Sequence, residues 1–317
     1  MVKALESVLS VLVMIGLGFF LAKKGRISAE ASSLLSRIVV SLALPAYMIA
    51  NLMGGYDRAE LLAMLPGLPI PFATMLVSFA LGGLVAAAAR IPDDRRGTFA
   101  SMFSLSNTIF IGLPVNLVLF GESSLPYVLL YYIANTSLFW TVGVYGIARD
   151  GAVRTGGPAP KFVSREGLRR VLSPPLVAFL VAAALIMAGL ALPPFVLGLA
   201  RTVGNMTTPL SMIFIGITIA SIDWRLVRPR LDMILLLGGR FVLAPFLLIL
   251  AVRWTGLPVL MKKVFLIQAS MPAMTQSPIV ARAYGADAEY AGLMTSITTV
   301  ASLATIPLYM AVIERLF

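Results

Sequence analysis

Ser104-Leu-Ser-Asn107-Thr108-Ile-Phe-Ile-Gly112-Leu-Pro114-Val-Asn116-Leu-Val-Leu-Phe-Gly121 is an apolar stretch that carries its own interruption. Proline lacks an amide hydrogen and its ring clashes with the carbonyl four residues back, while glycine loosens the backbone beside it. The arrangement returns 164 residues later in Ser270-Met-Pro272-Ala-Met-Thr275-Gln276-Ser277-Pro278-Ile-Val-Ala-Arg-Ala-Tyr-Gly285, where Pro278 and Gly285 match Pro114 and Gly121. Pro45 and Pro209 keep the same offset, as do Arg37 and Arg201, Met48 and Met212, Ser106 and Ser270, and Tyr145 and Tyr309. Proline and glycine are costly inside a helix. Their recurrence in one register predicts a duplicated chain with helices interrupted at matching places, which is the sequence pointer to a transporter site.

Composition says what is duplicated. The 317 residues are 59% hydrophobic and only 12% charged, more apolar than a soluble globule needs. Long runs with few charges predict transmembrane helices of about 20 residues each. Ten such spans are expected, at roughly 4–22, 34–53, 61–89, 97–120, 125–147, 172–192, 195–221, 231–252, 260–284 and 288–313. The connections are short, except for a polar link containing Thr155-Gly-Gly-Pro-Ala-Pro160. The expected division is a first five-helix repeat (1–147), a cytoplasmic linker (148–170) and a second five-helix repeat (171–317). The basic residues of the first span follow its apolar run, so it is expected to be a retained helix and not a signal peptide.

Five spans per half turn the second half upside down. The expected fold is therefore an all-α integral membrane protein, ten transmembrane helices forming a 5+5 inverted repeat, with helices four and nine broken. Of the 25 Lys and Arg, seventeen fall in the odd-numbered links and seven in the termini and even-numbered links, while Arg240 lies inside the eighth span. The positive-inside rule places the odd links in the cytoplasm and both termini outside, in the cytoplasmic membrane. The net charge of +11 reflects this bias, and no nucleic-acid partner is expected. The chain has no cysteine and no histidine. That removes thiol chemistry, Ser-His dyads and His-ligated metals, so no catalytic residue, metal or cofactor is expected.

Interrupted helices in hydrocarbon are tolerated only where protein or a water-filled cavity satisfies the freed backbone groups. Polar side chains cluster at both interruptions: Asn107 and Thr108 before Gly112 and Pro114, and Thr275, Gln276 and Ser277 between Pro272 and Pro278. Ser277-Pro278 reads as an N-cap followed by a first-turn proline, and Pro114 can start a half-helix likewise. Two such starts brought together near the midplane present free amides and positive dipole ends, which suits an anion. Asn51, beyond Pro45, is either a packing amide or a substrate ligand. Arg240 is either part of the site or an interfacial cation that snorkels. Asn116 and Asn135 are expected to be helix-packing amides. Asp57, Glu122, Asp223, Asp287 and Glu289 fall at helix ends and are expected to be solvated carboxylates.

These residues carry a resemblance. Asn107-Thr108-x-x-x-Gly112-Leu-Pro114 resembles the first crossover of the auxin efflux carrier family, which includes the plant PIN proteins and bacterial organic-acid carriers. Gln268-Ala-Ser-Met-Pro272, with Ser277-Pro278 and Tyr284, resembles the second crossover, and Arg240-Phe-x-x-x-Pro245 its eighth-helix motif. The resemblance implies a ten-helix carrier in which helices four and nine cross. One bundle serves as scaffold and homodimer contact, and the other moves in an elevator-type alternation of access. It implies small organic anions as substrates, such as malonate-type dicarboxylates or an auxin-like aromatic acid, held by Asn107, Thr108, Asn51, Thr275, Gln276 and Ser277. Coupling to H+, to Na+ or to neither stays open, as do two alternatives: a ligand-binding membrane sensor or scaffold without flux, and a sodium-coupled anion symporter of bile-acid-symporter-like fold.

Overall fold

The computed structural model describes residues 2–27, 29–158, 172–221 and 230–316. Among them the chain is helical, and its helices lie along the expected apolar runs. Six stretches are long and apolar enough to cross a membrane: Leu34–Gly55, Arg58–Ala88, Glu122–Thr155, Pro194–Ala220, Leu231–Arg253 and Ala288–Leu316. Val13–Lys23, Thr108–Phe120 and Pro174–Met187 are shorter apolar helices. Large apolar side chains such as Leu84, Phe195 and Val242 are exposed on the helix surfaces, as a lipid-facing exterior requires.

The prolines shape these helices in a consistent way. Three π-helical turns, Val39–Ala43, Thr108–Gly112 and Gly239–Leu243, each end two residues before a proline, Pro45, Pro114 and Pro245. The wider turn draws away the carbonyl with which the proline ring would collide and takes up the missing hydrogen bond. Pro245 leaves the Phe241 carbonyl without its usual helical donor, and the Tyr309 hydroxyl donates to it instead. Pro114 accordingly does not start a half-helix. It lies inside the Leu113–Phe120 helix, and the interruption comes earlier, at Leu105–Asn107. The matched glycines behave alike in both halves: Gly121 and Gly285 take φ of +74° and +73°, each just past the short helix that contains its matched proline.

The chain forms two compact units, each drawing on both halves of the sequence. One comprises the described residues of Met1–Gly67, Ile109–Leu130 and Leu172–Ser221; the other comprises those of Leu68–Thr108, Tyr131–Val171 and Ile222–Phe317. In the first, Gly18 and Gly216 bring helices Val2–Lys23 and Thr207–Ala220 so close that a side chain at either would collide with backbone of the other helix. In the second, a side chain at Gly97 of helix Arg96–Ser104 would collide with the Gly146 backbone of helix Val144–Thr155. Small residues at such contacts let helices associate by close packing in lipid, where no hydrophobic drive exists.

The Val144–Thr155 helix runs eight residues into the expected 148–170 link before Gly156, in the left-handed region, ends it. Arg149, Asp150 and Arg154 are therefore helical residues. Asp150 is the reason for the extension: its buried carboxylate accepts from the Gly97 and Thr98 amides at 2.9 and 2.6 Å and from the Thr98 hydroxyl at 2.7 Å. Residues 159–170 of the link lie outside the described residues, as does Asp223.

Asp287 corrects the expectation of a solvated carboxylate. It is buried, and it joins Arg95 at 2.6 Å and Arg154 at 3.4 Å, while Arg95 also lies 3.7 Å from the buried Asp232. Four helix ends thus meet in one ionic cluster of the second unit. Burial alone would raise the Asp287 pKa above its ordinary 3.8, but the Tyr290 amide and the Arg95 and Arg154 guanidiniums together hold it lower. A carboxylate with a depressed folded-state value stabilises the fold above its unfolded-state pKa and loses that contribution as pH falls through the folded one. Thermal melts of the detergent-solubilised protein are expected to weaken as pH drops below about 4. Asp287→Asn is expected to melt earlier at neutral pH and to show a shallower acid decline.

Asp57 and Glu122 are exposed, as expected, and Asp57 forms a reciprocal capping box with Glu60 at 2.8 and 3.0 Å. Glu289 is exposed as well.

Candidate functional site at two paired helix breaks

The second unit brings two helix interruptions side by side. Helix Arg96–Ser104 stops where Leu105 turns extended, with φ −103° and ψ 133°. Ser106 then forms an isolated antiparallel bridge with Ala273, and the Asn107 amide donates to the Pro272 carbonyl at 2.8 Å. Helix Val259–Ala269 ends just before this pairing, and helix Ser277–Ala283 resumes after it. Two broken helices thus satisfy part of each other's backbone, the condition for non-helical chain at membrane depth.

Side chains from neighbouring helices complete the backbone pairing. Asn135 clamps one residue twice, its Oδ1 accepting from the Ser106 amide and its Nδ2 donating to the Ser106 carbonyl, both at 2.9 Å. The Thr298 hydroxyl accepts from the Ala273 amide at 3.2 Å, and Gln268 Nε2 donates to the Thr108 carbonyl at 3.2 Å. Asn135 is thus more than a packing amide. It and Thr298 stand on helices Leu125–Leu138 and Ala288–Leu316, each following the helix pair whose break it supports. The signal for both was faint: one amide and one hydroxyl inside apolar runs.

Asn107 and Thr108 are buried in the first break. Thr275 and Gln276 are half-buried and Ser277 is buried in the turn between Pro272 and Pro278, so these five expected residues share one unit. Ser277 is not the helix cap. Gln276 occupies that position without a side-chain cap hydrogen bond, and the buried Ser277 hydroxyl has no partner among the described residues. Gly112 and Pro114 belong to the first unit, where the Asn116 amide donates to the Gly112 carbonyl at 2.7 Å. Asn51 is also in the first unit, donating to Tyr47 of its own helix at 3.0 Å.

Arg240 is fully buried on the Gly239–Leu243 turn, so it does not snorkel to an interface. Its Nη2 donates to the Ala269 carbonyl at the end of the first broken piece. Its Nε and Nη1 have no hydrogen-bond partner among the described residues, and neither does Gln268 Oε1. Buried polar atoms left unpaired cost roughly 1–3 kcal/mol each, more for charged groups, so such a cluster is retained where it recognises something.

A family model described as membrane transport protein matches residues 3–310. The chain belongs to this family. The resemblance carried by the crossover motifs therefore holds over nearly the whole sequence. An uncharacterized transporter of Methanothermobacter thermautotrophicus is 26% identical over 97% of this chain and 98% of its own length. An uncharacterized transporter of Methanocaldococcus jannaschii is 23% identical over 96% and 97%. Together with the long apolar helices, these matches make the chain a multi-pass membrane protein of a transporter family.

Proposed function

We propose that the protein is a secondary transporter that carries a small organic anion across the cytoplasmic membrane by elevator-type alternating access, with substrate held where the fourth and ninth helical stretches break. The observation that carries this reading is the pairing of Asn107 with Pro272 and Ser106 with Ala273 beside a fully buried guanidinium. Backbone irregularity buried in lipid-spanning protein is where transporters place substrate. A desolvated guanidinium with free donors selects negative charge, and its planar fork suits a carboxylate. On this reading each half crosses five times in inverted orientation, and the excess of Lys and Arg in the odd-numbered links puts both termini outside. The division into two units that each take helices from both halves supports a moving bundle and a static one. The static bundle is the natural contact of a homodimer.

Purified protein in liposomes is expected to exchange labelled malonate or indole-3-acetate in a saturable way. Asn107→Ala and Gln276→Ala are each expected to reduce exchange about tenfold or more, the equivalent of roughly 1.4 kcal/mol of lost binding, while melting close to the parent. Undiminished exchange in both variants would overturn the site. Saturable binding without flux would make the protein a sensor.

A further inference from the structure

Among the described residues Arg240 has no carboxylate within ion-pair distance, yet it is the largest fully buried side chain among them. A cation inside a membrane protein is expensive unless something nearby is negative. What lies nearby is the carbonyl end of a helix. Ser270 covers the Leu266 and Ile267 carbonyls with its amide, and the Met271 amide reaches Gln268. That leaves the Ala269 carbonyl, to which Arg240 Nη2 donates. The guanidinium therefore caps the last turn of helix Val259–Ala269, where the helix dipole is negative.

The local fold holds it there. Pro245 imposes the π turn Gly239–Leu243, the freed Phe241 carbonyl is closed by Tyr309, and Gly239 sits so tightly on the Phe103 ring that no side chain would fit. Single π turns of this kind are frequent at functional sites. The arrangement is not repeated. At the offset of 164, the first-half counterpart of Arg240 is Leu76, an exposed apolar residue.

In transporters with broken helices, the carbonyl ends of half-helices are where a co-transported cation is coordinated. Here that end already carries a positive charge bonded to the chain. We propose that Arg240 is a tethered counter-cation: its guanidinium, fixed on the Ala269 carbonyl, supplies the charge that a co-bound sodium ion would otherwise bring. Its Nε and Nη1 remain as donors to the anion. The protein then takes its anion without sodium. This rests on the transporter reading for its meaning as coupling, but the cation site itself is tested without any substrate.

The test is thermal melting of the purified full chain in sodium chloride, in choline chloride, and in choline chloride with added methylguanidinium. The parent is expected to melt at the same temperature in all three, because its cation position is filled. Arg240→Ala is expected to melt several degrees lower in choline and to recover with about 10 mM methylguanidinium or about 100 mM sodium, since a ligand that binds only the folded state raises its melting point. Arg240→Lys, which keeps the tethered charge, is expected to stay insensitive to both. A parent stabilised by sodium over choline would overturn the proposal, even if Arg240→Ala could not be folded. So would an Arg240→Ala variant that melts like the parent and responds to neither cation. A chain that transports nothing would still give these readings, so loss of the transport function and loss of the tethered cation are separate outcomes.

Discussion

Asn135→Leu is expected to be among the most damaging single substitutions in the protein. Asn135 is fully buried and holds both the amide and the carbonyl of Ser106 at 2.9 Å. The Ser106 amide depends on Asn135, while the Ser106 carbonyl also accepts from the Thr108 amide at 3.0 Å. Leucine keeps the branched shape of asparagine but leaves that amide buried and unpaired, at about 1–3 kcal/mol, and removes one of the two bonds to the carbonyl, at about 1 kcal/mol. The expected loss is thus roughly 2–4 kcal/mol, and melting in detergent should fall by about 4–16 °C on the scale of globular domains. Asn116→Leu provides the comparison. Asn116 is equally buried but makes one bond, to the Gly112 carbonyl of its own helical turn. Its loss should cost about 1 kcal/mol. Equal melting of the two variants would mean that the Ser106 clamp contributes nothing beyond packing.

Asp150→Asn is expected to rank beside it. Three donors converge on the Asp150 carboxylate: two amides of the first turn of helix Arg96–Ser104 and the Thr98 hydroxyl. Asparagine keeps one acceptor oxygen and turns an NH2 group toward the remaining donors, so it removes hydrogen bonds and adds a donor-donor conflict. Bonds to a charged group are worth about 1.5–3 kcal/mol each, and a negative charge at a helix start adds about 0.3–1 kcal/mol. A loss of roughly 3–6 kcal/mol is expected. Thr98→Val removes a single bond and should cost far less. Because helix Arg96–Ser104 leads directly into Asn107, Asp150→Asn should also weaken anion exchange even at temperatures where the protein remains folded. Full exchange activity in that variant would show that the anchor does not position the break.

Much of this organisation is legible in the sequence because it is local. Apolar runs mark most of the helical stretches to within a few residues, the extension of Val144–Thr155 past 147 being the exception, and the paired prolines and glycines mark where both halves are interrupted. Gly121 and Gly285 take the positive φ that their matched positions imply. What the sequence hides is non-local. Pro114 looks like the break, but a π turn absorbs its local cost, and the chain opens instead at Leu105–Asn107, where the Pro272 carbonyl and Asn135 wait to receive it. Asp287 looks like a loop carboxylate because Arg95, its partner, is 192 residues away. Arg240 could be assigned neither to a site nor to an interface until the Ala269 carbonyl appeared beside it, 29 residues along the chain.

The ionic cluster of Arg95, Arg154, Asp232 and Asp287 also has a topological consequence. Residues that touch within 4 Å lie on the same side of a membrane, so the chain between any two of them crosses an even number of times. From Asp232 to Asp287 the chain includes Leu231–Arg253, long enough to cross alone. If it does cross, parity requires the broken stretch Val259–Ala283 to cross back, although neither of its pieces is long enough by itself. From Arg95 to Arg154 the same reasoning applies: if Glu122–Thr155 crosses, Arg96–Phe120 must cross with it. The ionic contact thereby ties the topology of each interrupted helix to that of the long helix beside it in sequence, without any count of charges in the loops.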